Sequence, residues 1–188
     1  MKVLFGNKQI ELEGVTISQY EILKDKNNVM DDIEFISLLT GLNKDDIRDA
    51  TLAQISFVSK MLNTYYNTSM EKSQLKPLIN YNNQMLGLIK PSTMTWGEFT
   101  DLEIITSSKP LNLRLLASIL YRPCETYSTK DLTSKVVKYD YEECLERSKE
   151  MGDFLVQDVM SSLFFFIQFG KMYTVKQREF METQKTKG

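Results

Sequence analysis

Hydrophobic and polar positions along the chain change period several times, and each change marks an element. Val3, Leu4 and Phe5 lead into Gly6-Asn7, after which Gln9, Ile10, Glu11 and Leu12 alternate. Turn residues that tolerate positive φ between two such runs predict a β-hairpin near residues 3 to 12. From Ser18 the pattern becomes helical: Tyr20, Ile22 and Leu23 form a short helix that Asn27-Asn28 stops. Asp31 or Asp32 then caps a second helix carrying Ile33, Phe35, Ile36, Leu38 and Leu39, with Gly41 where a left-handed C-terminal residue is wanted. Asn43 caps a third, very short helix through Ala50. Thr51 caps a fourth, in which Leu52, Ile55, Phe57, Val58, Met61 and Leu62 form a stripe at helical spacing.

Residues 67 to 76 are polar and turn-rich and read as a linker. Beyond them Leu78, Ile79 and Tyr81, then Asn82-Asn83, then Met85, Leu86, Leu88 and Ile89 predict a second hairpin over 78 to 89, closed by Pro91. Thr95 and Glu98 have the spacing of a capping box, which predicts a helix from Trp96 to about Ile105. Pro110 reads as the first turn of a further helix through Leu111, Leu113, Leu115, Leu116, Ile119 and Leu120, ended by Arg122-Pro123. Cys124 to Lys138 reads as a loop with an extended piece at Val136-Val137. Tyr139-Asp140 opens a helix through about Met151, and a long helix runs from Phe154 to about Met181, bent at Gly170. The expected fold is mainly α, with an N-terminal hairpin, a helical bundle holding the second small hairpin, and a long C-terminal helix. Its expected divisions are residues 1–66, residues 77–181 and a polar, flexible tail over 182–188.

Composition narrows the chemistry more than the fold. The 188 residues, 42% apolar and 26% charged, suffice for a core without disulfides or metal. A formal charge of -2 gives no positive field for phosphate backbones or anionic lipid. The chain has no histidine, which removes imidazole-based acid–base catalysis and most transition-metal sites. Cys124 and Cys144 are the two cysteines, without a CxxC pair, so a reducing compartment and no metal or redox cofactor are expected. The first apolar run breaks at Gly6, too early for a signal-peptide core. The apolar stretch from Phe154 to Phe169 is interrupted by Gln157, Asp158, Ser161, Ser162 and Gln168 and falls short of the roughly 20 residues of a membrane span.

Three constellations invite function. Phe35 to Ala50 has the outline of a helix-turn-helix, but Asp45, Asp46 and Asp49 outnumber Lys44 and Arg48, a field that repels DNA. Glu98, Asp101 and Glu103 gather on one helix, and the first two share a face. Without a phosphate-binding loop or a second acidic cluster they read as a solvated, capped helix start rather than a metal or acid–base pair. Leu163, Phe164, Phe165, Phe166, Ile167 and Phe169 cannot all face one way when successive residues rotate by about 100°. Such a helix either forms the centre of the core or gives one side to a partner. On the second reading Phe164, Phe165, Phe166 and Phe169 form an interface, with Trp96 the next candidate.

Two blocks resemble a known class. EFISLLTGLNKDDIRDATLAQISFVSKML, from Glu34 to Leu62, and MTWGEFTDLE, from Met94 to Glu103, the latter followed by LLASILYRP and ECLERSKEM, resemble small proteins of the structural gene modules of tailed bacteriophages. The resemblance is particularly to those of the crAss-like and related phages of Bacteroidota, and the N-terminal hairpin is similar to the start of phage tail-assembly chaperones. The resemblance implies a non-enzymatic virion or assembly component with no catalytic residues to transfer. It implies other phage proteins or a second copy of the chain as partners, and a place in the virion, reached from the host cytoplasm. A transient tail-assembly chaperone, or a helix-turn-helix regulator of DNA, are the alternatives; neither membrane nor nucleic acid is expected as a partner.

Overall fold

The computed structural model describes residues 1–5, 8–25, 29–69 and 74–169. The turn at Gly6-Asn7, the stop at Asn27-Asn28, the middle of the expected linker, the bend at Gly170, the run on to Met181 and the tail all lie outside the described residues. Two units divide the chain: residues 1–73 with 150–157, and 74–149 with 158–188.

In the first unit β1 (Lys2–Phe5) pairs antiparallel with β2 (Lys8–Glu11), Val3 opposite Ile10. Alternation turns Val3 and Phe5 inward and leaves Leu4 outside. α1 (Ile17–Lys24) starts one residue before the expected Ser18, because Thr16 and Gln19 form a reciprocal capping box. α2 (Asp32–Thr40) is capped by Asp31 and ends on Gly41 at φ 71°, the left-handed residue that a β-carbon would strain. α3 (Lys44–Arg48) follows from the Asn43 cap and α4 (Leu52–Ser69) completes the series. The core joins Val3, Phe5, Leu12, Val15, Ile36, Leu39, Ile47, Val58 and Leu62. A segment from far down the chain finishes it: Ile17 N–H donates to Phe154 O and Val156 N–H to Val15 O, each at 2.9 Å.

The second unit overturns the mainly α expectation, because it contains a four-stranded antiparallel sheet in the order β3-β4-β5-β6, which makes the fold mixed α/β. β3 (Leu78–Tyr81) and β4 (Gln84–Leu88) form the expected hairpin, and Asn82 and Asn83 take φ of 49° and 60° as a tight hairpin turn demands. The surprise is β5 (Tyr121–Ser128) with β6 (Thr133–Val136), where the sequence reads as a helix stop and a loop. Tyr121, Arg122 and Pro123 pair with β4, and Cys124 to Ser128 pair with β6. Pro123 therefore sits where one ladder hands over to the other, a place where its missing donor is tolerated. A register shift between Cys124 and Thr126 bends the strand there. The bend brings β6 over β4, so that a Cβ on Gly87 would meet Ser134 Oγ at 2.5 Å and Val136 Cγ1 at 2.8 Å.

Helices pack on this sheet. α5 (Trp96–Ser107) follows a single 3-10 turn at Pro91–Thr93, and α6 (Leu113–Leu120) is capped by Asn112, two residues beyond Pro110, rather than opened by the proline. Leu113 and every residue from Leu115 to Leu120 are buried, which makes α6 the centre of the unit. α7 (Tyr141–Ser148) is capped by Asp140. The last described helix, α8, covers 156–169; it begins two residues late because Met151–Asp153 form a 3-10 turn and Leu155 bridges Thr16. Its buried Asp158 meets Lys76 Nζ at 2.9 Å, and Ser162 Oγ lies 2.7 Å from the Tyr121 hydroxyl.

Two outcomes follow. Gly87→Ala lowers stability by about 1–3 kcal/mol, read as a shifted denaturant midpoint, because the methyl group has no room beneath Ser134 and Val136. Burial pushes the Asp158 carboxyl above the usual carboxylate range, against the pull of Lys76. The folded chain thus holds this proton more tightly than the unfolded chain, and its favourable contribution fades as pH rises from about 4 through the raised value. Asp158→Asn is therefore expected to gain stability relative to the parent as pH rises over that window, measured by urea unfolding at several pH values.

Candidate functional site

α5 is set in place by one residue with two duties. The Thr95 hydroxyl accepts from the Glu98 amide at 3.3 Å, and Glu98 Oε2 accepts from the Thr95 amide at 2.6 Å. Glu98 Oε1 accepts from Arg122 Nη2 at 2.6 Å, with both side chains buried. The Arg122 guanidinium lies 5.7 Å from the centre of the Tyr139 ring, whose hydroxyl donates to Asp101 Oδ2 at 2.6 Å. Expectation and structure part here: the helix start is capped as read, but Glu98 is 2% exposed and bonded to an arginine rather than solvated. Asp101 is likewise engaged, so the two carboxylates do not converge on an open position.

Arg147 Nη2 donates to Ser118 O at 3.0 Å and to Cys144 Sγ at 3.2 Å. Burial pushes the Cys144 thiol up, against the pull of Arg147 and Arg122, and burial likewise lowers the proton affinity of Arg122. A thiol raised and enclosed in this way packs rather than attacks. Cys124, half-buried on β5, is also raised by burial. Among the described residues no group of histidine, cysteine and carboxylate side chains is placed to hold a metal.

With its Glu98, Leu102 and Ile105 side turned inward, α5 presents Trp96, Phe99, Glu103 and Thr106 on the other side, as a rotation of about 100° per residue requires. Trp96 is 80% exposed, and its ring lies 5.7 Å from that of Phe99. Leu163, Phe166, Ile167 and Phe169 of α8 line, with this row, an open groove of ≈ 940 Å³ that Pro91, Ser92 and Met94 also border. Glu103 is the one charged residue among the described residues lining it.

α8 itself answers the choice between core and surface by position along its length. Val156, Asp158, Val159 and Ser162 are buried in its first turns, whereas Phe164, Phe165 and Ile167 are 55%, 38% and 43% exposed in its last. Of the five candidate residues, Trp96, Phe166 and Phe169 meet in the groove. Phe164 and Phe165 lie on the opposite side of the helix, with Phe165 edge-on to Phe166 at 5.6 Å. Sequence reasoning missed Phe99 and Glu103 as members, although their three- and seven-residue spacing from Trp96 marks the helix face turned away from Leu102 and Ile105.

In the first unit the helix-turn-helix outline is α2, Gly41 and α3, but α3 has five residues and Ile47, the fourth of them, is fully buried. Both of its cations already face carboxylates, Lys44 with Glu34 at 2.8 Å and Arg48 with Asp45 at 3.1 Å. No family model matches the chain, and no curated protein or solved structure matches it significantly.

Glu98→Ala leaves Arg122 buried without its counter-charge and α5 without half its cap, and is expected to cost about 3–5 kcal/mol. Replacing both partners, Glu98→Leu with Arg122→Met, recovers most of that loss in the same unfolding measurement.

Proposed function

We propose that the chain is a non-enzymatic bacteriophage structural or virion-associated protein that acts through protein–protein contacts in head or tail assembly. The observation that carries this reading is the aromatic surface of the second unit. Trp96 and Phe99 on one element, and Phe164, Phe165 and Ile167 on another, stand at the surface although both helices already bury another side. Exposed apolar groups gathered on two helices of one unit mark contact surfaces, and tryptophan anchors concentrate binding energy at interfaces. The likeness of Met94–Glu103 to phage structural proteins falls on this same helix. The partners are other virion or assembly proteins, met in the host cytoplasm, and the chain remains in the particle.

Quantitative mass spectrometry of purified particles of the encoding phage tests this reading. A fixed copy number per particle is expected; a chain bound to a tail component in infected cells but missing from particles indicates the transient chaperone, and absence from both rejects the proposal. Phe164→Asp is expected to keep the parent unfolding midpoint while reducing incorporation about tenfold or more, because the side chain faces water in the free protein.

A further inference from the structure

Among the described residues, positive φ is met by side chains that tolerate it in all places but one. Asn82 and Asn83 turn the β3–β4 hairpin at 49° and 60°, and Gly41 ends α2 at 71°. The remaining residue is Leu132, at 52°. In this region a β-carbon crowds the following carbonyl, so a bulky residue is strained where glycine is free and asparagine is tolerated. Leu132 closes the loop over residues 129–132 that joins β5 to β6, next to the last ladder pair, Ser128 and Thr133. Hydrogen bonds pin this loop: the Asp131 amide donates to Ser128 Oγ at 3.3 Å, and that hydroxyl donates to Asp131 Oδ2 at 3.0 Å. Burial does not account for the leucine, because it is 56% exposed, and Tyr127 beside the last pair is exposed as well. The free chain thus holds a strained leucine with more than half of its surface in water.

We infer that the β5–β6 tip is a second contact point of the chain, at which Leu132, flanked by Tyr127, enters an apolar socket on another particle protein. This rests on the reading of the chain as a virion or assembly component, and it adds a site to that reading, since none of these residues lines the α5/α8 groove. Strain held at an exposed position marks a place where the bound geometry is set in advance. A shaped socket gains from a side chain already fixed in direction, whereas a fluid lipid surface accepts a mobile leucine as readily. Charge points the same way: Lys130 and Asp131 balance within the loop and Glu125 pairs with Lys135, so the tip has no excess of cations for the phosphates of lipid or nucleic acid.

Leu132→Gly tests the inference, because stability and contact should change in opposite senses. Glycine adopts this φ without strain, so the full-length variant is expected to unfold at a higher urea concentration than the parent. Co-expressed with the parent in infected cells, its share of the copies recovered in particles and assembly intermediates is nevertheless expected to fall about tenfold. Leu132→Met, apolar and of similar volume, should compete like the parent. A Leu132→Gly midpoint at or below the parent's shows that the leucine packs favourably in the free protein and overturns the inference. So does a share of Leu132→Gly equal to its share of the expressed protein, which leaves the functional reading standing. Absence of the parent from particles and intermediates alike removes the functional reading, and with it the partner named here. Loss of flotation with phosphatidylcholine vesicles in Leu132→Gly, without loss of incorporation, assigns the tip to lipid and overturns the socket.

Discussion

The second unit turns on the buried pair of Glu98 and Arg122. Removing two charges from water costs several kcal/mol per ion, and the cost is offset where geometry is good and the remaining hydrogen-bonding capacity is used. Here one carboxylate oxygen meets the guanidinium at 2.6 Å and the other meets the amide of Thr95 at 2.6 Å. Because Arg122 stands opposite Gly87 in the sheet, the pair fastens the first turn of α5 to the start of β5. It also sets the rotation of that helix: with Glu98 inward, Trp96, two residues earlier, must face out. The exposed tryptophan is thus a consequence of a buried ion pair.

Local chemistry was legible in the sequence and long-range chemistry was not. The caps at Asn43 and Thr95, the left-handed Gly41 and the Asn82-Asn83 turn are each decided by neighbouring residues and stand where the pattern puts them, and of the pair Asp31 and Asp32 the structure makes Asp31 the cap. The strands after α6 depend instead on partners far away in the chain. Tyr121–Ser128 contains a proline and follows directly on an apolar helix, so its period is broken on both counts, and only pairing with Leu86–Leu88 and Thr133–Val136 makes it a strand. The partner of Glu98 was hidden for the same reason, lying 24 positions away on that unrecognised strand.

The phenylalanine-rich helix shows a different limit. A run apolar on every side tells that it must be covered but not from which direction or over what length. The structure divides it along its axis: early turns hold Val156, Asp158, Val159 and Ser162 inside, and later turns carry Leu163 and Phe166 at the groove and Phe164 away from it. Two buried polar residues in the early turns mark the inward side, since Asp158 and Ser162 lie four apart and bond to Lys76 and Tyr121. Polar residues within an apolar run were therefore the informative ones.

Phe154 and Val156 bond across to Val15 and Ile17, and this has a meaning in time as well as in space. During synthesis the hairpin and α1 to α4 leave the ribosome first, yet the strand-like segment that satisfies the amides around Thr16 emerges only after all of residues 74–149. At roughly 5–20 residues per second the early unit waits several seconds with that seam open. Its closure is a late event of high sequence separation, which links completion of the first-made part of the chain to the emergence of the last helix.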